Sequence, residues 1–270
     1  MHEVKHWFLI TKATFIKELK IQKRYVGWMV ASLLQPVIWM VLFSLIGAGF
    51  GIGQTQAGFD FTSFLILGVL LLMLLSQSLW GAGLALRNEQ YRGTLESTFT
   101  APAKMTAILV GYALADLVFV GYLILVGYLL GTFVFGMELV VSDPVGLIIA
   151  FAITIYGVWG FAFMFAAVTL MIKQANAVVN LVQPILYILT GVFFPLSALP
   201  PEIQQFSLLL PLTRGFLSIQ EITLKGATLA SVTPLLAGAV ISGTVLALIG
   251  IAALRATMEW TRHKGLLGAF

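Results

Sequence analysis

The chain has 270 residues, 60% of them hydrophobic and only 10% charged, with a mean hydropathy of +1.01. That composition lies far outside the range of soluble globular domains and indicates an integral membrane protein. A net charge of +4 gives no nucleic-acid surface, and the lack of cysteine excludes disulfides, thiolate metal sites and cysteine nucleophiles.

Residues 1–25 precede an apolar run of full spanning length, so they read as an attached segment and not as a cleaved signal. At 100° per residue Val4, Trp7, Phe8, Phe15 and Leu19 share one face, with Lys17, Lys20 and Arg24 opposite. This pattern predicts an amphipathic helix lying flat at an anionic lipid surface. Six stretches then have the length and apolarity of a span, which takes about 20 residues: 26–50, 61–86, 105–135, 145–172, 177–194 and 232–254. Between the fourth and fifth stands only a tight polar turn, Lys173, Gln174 and Asn176. Gln35-Pro36 and Gln183-Pro184 put an amide beside a proline kink in the first and fifth spans, where a freed carbonyl must find a partner inside the bundle. Gly127 and Gly131, like several other small-residue pairs, stand four apart and permit close helix approach, although any single pair reads as chance in so Gly-rich a chain.

The most polar interlude is Arg87 to Pro102, R-N-E-Q-Y-R-G-T-L-E-S-T-F-T-A-P. Its residues predict two short helices with a bend: Asn88 as a cap, Glu89 near a helix N-terminus, a break at Gly93-Thr94, Glu96 beyond it and Pro102 as the stop. The order Glu89, Gly93, Thr94, Glu96, Pro102 resembles the coupling segment of the type-2 permeases of ATP-binding cassette exporters, and the likeness extends over most of the chain, including Asn180 to Pro211. The resemblance implies an all-α membrane protein. It would have six transmembrane helices, an N-terminal interface helix (1–25), a coupling segment (87–104) between spans 2 and 3, and an external helical hairpin (195–228) between spans 5 and 6, all in one permease domain (1–270). Asn88, Glu89, Arg92, Gly93, Thr94, Glu96 and Pro102 are then the residues expected at the ATPase contact, the two glutamates meeting Arg or Lys of that partner. The resemblance also implies two copies of a separate ATP-binding subunit and a homodimer or heterodimer of permeases. ATP and Mg would be bound by the partner, so that this chain carries no cofactor.

Asp116 is the only acid deep in a span, with Tyr112 one turn away. It reads as a protonated, hydrogen-bonded structural acid or as a proton or cation site, and proton relays usually need more ionisable groups than this chain offers. In the stretch G-V-F-F-P-L-S-A-L-P-P, Gly191 and Pro195 end the fifth span, and Pro200 and Pro201 open a helix over 203–210 that is too short to cross. A second short amphipathic piece, 213–224, follows. This exit and the P-L-T-R at 211–214 look like the external hairpin of the same exporters, which makes Pro195, Pro200, Pro201 and Arg214 gate residues by resemblance.

Thirteen of the fifteen Lys and Arg fall in connections on one side of the six spans, which predicts both termini in the cytoplasm and a plasma-membrane location. The chain has no phosphate-loop motif, G-x-S-x-G or H-E-x-x-H, and its His residues, His2, His6 and His263, lie near the termini. No enzyme activity or metal is expected. The leading function is thus a permease that moves a lipophilic or amphiphilic substrate outward on ATP hydrolysis by another subunit. The rival is a self-contained secondary transporter or channel with Asp116 as its ion site, although no internal repeat supports it.

Overall fold

The computed structural model describes residues 2–49, 60–100, 103–172 and 174–264. Among them are twelve α-helices and two single 3-10 turns, without a strand. The helices are α1 (His2–Arg24), α2 (Val26–Ala31), α3 (Leu34–Gly49), α4 (Phe61–Trp80), α5 (Ala85–Tyr91), α6 (Leu95–Thr100), α7 (Met105–Phe133), α8 (Pro144–Met171), α9 (Ala175–Leu189), α10 (Pro201–Leu209), α11 (Pro211–Lys225) and α12 (Leu229–Lys264).

Five helical stretches are long and apolar enough to cross a membrane: Val26–Ile46, Phe61–Tyr91, Met105–Phe133, Pro144–Thr169 and Leu229–Thr257. The fifth span expected from sequence, α9, has 15 residues. At 1.5 Å per residue it rises roughly 22 Å, short of a hydrocarbon core of about 30 Å. Its separation from α8 is clear, because α8 stops at Met171 and α9 starts at Ala175; Lys173 lies outside the described residues.

At the centre stands α4. Its run from Phe64 to Leu75 is buried without a gap, as expected of a helix that is apolar all round. Helices α3, α7, α8, α9 and α11 pack against it. Gly127 and Gly131 of α7 face Leu70 and Ile66 of α4, and side chains there would clash. The first span is broken at Ser32 and Leu33, one turn before Pro36, because proline has no N–H to return to the Ser32 carbonyl. Ser32 Oγ turns back onto the Met29 carbonyl at 2.7 Å.

The N-terminal helix meets the protein through a polar stripe and leaves Val4 and Phe8 of its apolar face outward. Thr11, Thr14 and Glu18 are buried, whereas Val4 and Phe8 are exposed. The reason is the surface it meets: Ala107, Gly111 and Ala115 recur every fourth residue along α7. They admit the threonines so closely that a Cβ on Gly111 would lie 2.6 Å from Cβ of Thr14. Thr11 Oγ1 donates to the Ala107 carbonyl (3.1 Å), Gln22 Nε2 to that of Ala115 (3.4 Å) and Trp7 Nε1 to Thr106 (3.2 Å). Small residues and interhelical hydrogen bonds are what tie helices together where apolar burial cannot.

Another side of the bundle is built on α8, α11 and α12. A Cβ on Gly160 would fall 2.4 Å from the Gly243 carbonyl, and one on Gly250 would fall 2.5 Å from the Met164 amide, so α8 and α12 touch backbone to backbone. The segment expected to be an amphipathic surface piece, 213–224, is buried along most of its length within α11. It sinks into α8 because Gly157 leaves room for the Pro211 ring and Gly215 for Thr154. Thr213 and Gln220 reach the carbonyls of Leu189 and Gly191 just beyond α9 (3.3 and 3.5 Å). Asp143 fastens two helix starts at once, accepting from the amides of Gly146 of α8 (2.8 Å) and Leu229 of α12 (2.9 Å).

Candidate functional site

The central helix does not run unbroken into the polar segment. Gly81 N–H still bonds the Gln77 carbonyl at 2.7 Å, but Gly81 then takes φ −89° and ψ −92°, and one 3-10 turn, Ala82–Leu84, leads into α5. Two neighbours support this break. Thr169 Oγ1 of α8 donates to the Gly83 carbonyl at 2.9 Å. On the other side Asp116 of α7 occupies the space a side chain at position 81 would need, since a Cβ there would lie 1.8 Å from Oδ2. Asp116 Oδ1 accepts from Gln77 Nε2 at 3.3 Å.

Beyond the break, α5 and α6 meet at Gly93, whose φ of +69° is open to glycine at little cost. Gly93 N–H bonds the Gln90 carbonyl (3.0 Å) and Thr94 N–H that of Glu89 (2.9 Å), which ends α5; the Thr94 carbonyl then takes the Thr98 amide (3.0 Å) and opens α6. Thr94 Oγ1 donates to the Glu89 carboxylate.

Glu89 is 3% exposed. Besides Thr94, its carboxylate receives Tyr112 Oη of α7 at 2.5 Å and pairs with Lys17 of α1. Arg92 Nη1 donates to Glu18 of α1 (2.9 Å) and to Tyr112 Oη (3.2 Å). Lys17 also pairs with Glu18 at 3.1 Å and lies 5.1 Å from the centre of the Tyr112 ring. Two carboxylates, two cations and a phenol thus join α1, α5 and α7. The carboxylates are inside and the cations half-exposed at the rim, with side chains 43% exposed for Lys17 and 37% for Arg92. Burial opposes the charge of Arg92, but its hydrogen bond to Glu18 and the surrounding negative groups outweigh that cost and hold its pKa above the ordinary value.

This arrangement corrects several expectations. Asn88 caps nothing: α5 begins at Ala85, continuing from the 3-10 turn, so Asn88 and Glu89 lie within it and no free helix start exists at 88. Glu89 points into the protein and is satisfied there, so it does not present a free anion to a partner. Tyr112 serves the Glu89 and Arg92 pair and not Asp116. The Glu96 backbone lies in α6, while its side chain and Pro102 lie outside the described residues. Lys17 and Glu18 were not among the expected site residues. Their one signal is that Glu18 is an isolated acid in a basic helix, followed by no exposed neighbour of its own sign.

Farther along α4 a cavity of about 720 Å³ opens between α2, α3, α4, α7 and α9. The rings of Trp28, Trp39, Trp80 and Tyr187 and the amides of Gln35, Gln77, Asn180 and Gln183 line it. Gln183 bridges the walls, accepting from Trp80 Nε1 (2.9 Å) and donating to Ser76 Oγ (3.0 Å) and to the Tyr187 hydroxyl. Both expected amides beside prolines, Gln35 of α3 and Gln183 of α9, thus line the one cavity, with Asp116 behind Gln77. Pro195, Pro200, Pro201 and Arg214 lie apart from both sites. The prolines start the turn at Leu196–Ala198 and helix α10, and Arg214 donates to the Leu208 carbonyl at the end of α10 while its guanidinium rests on Gly238 of α12.

The protein family described as ABC-2 type transporter matches residues 8–224 of this chain. No curated protein matches it. The family match begins within α1, takes in the whole charged junction and the cavity walls, and ends at the close of α11; α12 lies beyond it yet packs along α8. The chain is therefore a multi-pass membrane protein that belongs to the ABC-2 type transporter family, as a permease component distinct from the ATPase with which such domains generally pair.

Proposed function

We propose that this chain is the permease of an ATP-driven exporter, paired with a second permease and served by two ATPase subunits that bind ATP and Mg and dock on residues 87–104. In this reading both termini face the cytoplasm of a cell whose plasma membrane holds the protein, and α9 with the residues after it completes a sixth crossing. The exposed Val4 and Phe8 of α1 meet lipid. The cavity holds a lipophilic or amphiphilic substrate, its size and its mix of rings and amides being those of small-molecule sites. Pro195, Pro200, Pro201 and Arg214 belong to the outer gate.

The observation that carries the proposal is the position of α5 and α6 between a break and a brace. A push on this segment cannot be absorbed by the segment alone, because Glu89 and Arg92 tie it to α1 and α7. The break at Gly81 lets it turn relative to α4. Nucleotide-driven closure of the ATPases would then tilt α7 and α1 together, and work would pass through contacts, with no chemistry in this chain. Because Glu89 is committed internally, the docking surface is the outer side, where Tyr91 is 58% exposed. Tyr91→Asp should leave the permease folded and inserted while co-purification of the ATPase and ATP-dependent export each fall at least tenfold. Wild-type values for both would overturn the assignment of this segment.

A further inference from the structure

We infer that Asp116 makes the cavity selective for lipophilic organic cations, acting through the Gln77 amide; this deepens the substrate reading above and rests on it. The carboxylate is 8% exposed and makes no ion pair among the described residues. Only Oδ1 has a hydrogen bond of ordinary geometry, from Gln77; Oδ2, pressed against Gly81, has none. An acid at such depth needs a counter-charge or full hydrogen bonding, and among the described residues it has no ion pair and one oxygen, Oδ2, without a partner.

Gln77 is both the partner of this acid and a wall of the cavity. With its NH₂ group on Asp116, its carbonyl oxygen is the end left for a ligand, and the amide dipole carries negative potential from the acid to the cavity surface. Phe119, one turn along α7 from Asp116, lines the same cavity, as does Trp80 beside Gly81. The rest of the lining suits a cation as well. The donors of Trp80 and Gln183 are spent on each other and on Ser76 and Tyr187, and Ser32 is bonded to Met29. Ring faces, which attract cations, and amide oxygens remain toward the ligand, beside the amide groups of Gln35 and Asn180, which can turn either their oxygen or their NH₂ inward. Among the described residues no Lys, Arg or His lines the cavity to repel one. A cation touching the far side of Gln77 would stand about 8 Å from the carboxylate. With Asp116 ionised, that separation at an effective dielectric near 20 favours a unit positive charge over a neutral isostere by about 30-fold.

The test compares tetraphenylphosphonium with tetraphenylborate, ions of nearly one shape and opposite charge. Each is titrated by tryptophan fluorescence against the full-length permease in lipid nanodiscs of zwitterionic lipid, with the partition into empty nanodiscs subtracted. Wild-type protein should bind the phosphonium at least tenfold more tightly than the borate. Asp116→Asn should lose at least tenfold of the phosphonium affinity, Asp116→Glu should keep most of it, and Trp80→Ala should weaken binding of both ions. Equal affinity for the two ions in wild-type protein would overturn the proposal without recourse to any variant, as would unchanged phosphonium affinity in a folded Asp116→Asn protein. The assay contains no ATPase. Charge-selective binding that depends on Asp116, found in a permease that fails to export, therefore supports this inference and counts only against the transport reading.

Discussion

At the junction, α1, α5 and α7 meet through two carboxylates, two cations and a phenol; on the α8 side of the bundle, α8, α11 and α12 meet through glycines that bring backbone against backbone. The two contacts respond differently to displacement. Lys17 touches both Glu18 and Glu89, and Arg92 touches both Glu18 and Tyr112, so a small shift trades one partner for another and the half-exposed cations take up water on the way. A glycine contact has no such alternatives, because repulsion rises within a few tenths of an ångström. The charged side is suited to transmit movement, and the glycine side to serve as its fulcrum.

The sharpest way to break this contrast is at Glu89. Glu89→Ala removes the shared acceptor of Lys17, Thr94 and Tyr112; the exposed Thr94 hydroxyl keeps the Glu89 backbone carbonyl, while the buried Tyr112 hydroxyl loses its acceptor. The expected cost is about 2–4 kcal/mol, below the full penalty for an ion pair buried on both sides, because Lys17 stays partly solvated. Thermal unfolding in detergent measures it, and faster amide exchange should be confined to α1, α5 and the first turns of α7. Lys17→Met leaves the hydroxyl bonds in place but takes from the buried Glu89 its one ion-pair partner among the described residues, and should cost about 1–2 kcal/mol, less than a pair buried on both sides because Lys17 is half-exposed. If both changes prove equally mild, the joint is not held by charge.

On the other side Gly160→Val places a methyl-bearing carbon where the Gly243 carbonyl already stands, 2.4 Å from it. Backbone on both sides cannot yield as a side chain tip can, so we expect about 1–3 kcal/mol of lost stability. The loss should be insensitive to added salt, whereas the contribution of Lys17 should shrink between 0.1 M and 1 M NaCl as screening shortens the reach of half-exposed charges. Salt dependence on both sides, or on neither, would erase the distinction.

How far these two sides were legible in the sequence follows from the same physics. The helical class, the long apolar stretches, the bend at Gly93 and the kink before Pro36 come from composition and from residues whose backbone preferences are local. The cap at Asn88 failed because a helix start depends on what precedes it, and the turn after Gly81 supplies a continuation that no capping residue announces. Glu89 is an acid in a polar segment whether it faces solvent or Tyr112, and only the packing of α1 on the small-residue row of α7 decides between them. That row, Ala107, Gly111 and Ala115, was readable as a four-residue repeat, whereas Gly157 and Gly160 stand three apart and Gly243 and Gly250 seven apart, so the contacts of Gly243 with Gly157 and Gly160 and of Gly250 with Met164 carry no such spacing. What the sequence could not supply is which rows meet. The amphipathic appearance of 213–224 misled for a related reason, since Ser218 and Thr223 satisfy their hydroxyls on their own helix, at the Arg214 and Ile219 carbonyls, and need no water.

The smallest expected effect lies at Asp143, the one carboxylate that helps to hold the glycine side. The amides of Gly146 and Leu229 hold its pKa below the usual carboxylate value, and the folded chain therefore binds its proton less readily than the unfolded chain does. The sign follows from linkage: the capping contribution is complete above the ordinary Asp value of about 3.9 and is lost as pH falls through the lower, folded value. Asp143→Ala should accordingly lower the exchange protection of the first turns of α8 and α12 at pH 7, with little change in global unfolding. Wild-type and variant protection should converge in the acid range once each is corrected for intrinsic exchange. Asp143→Asn should keep one of the two amides, because its single carbonyl oxygen is the only acceptor it offers. A difference between wild type and Asp143→Ala that persists undiminished below the folded pKa would mean that shape and not charge closes this side. The fulcrum would then be free of electrostatics altogether.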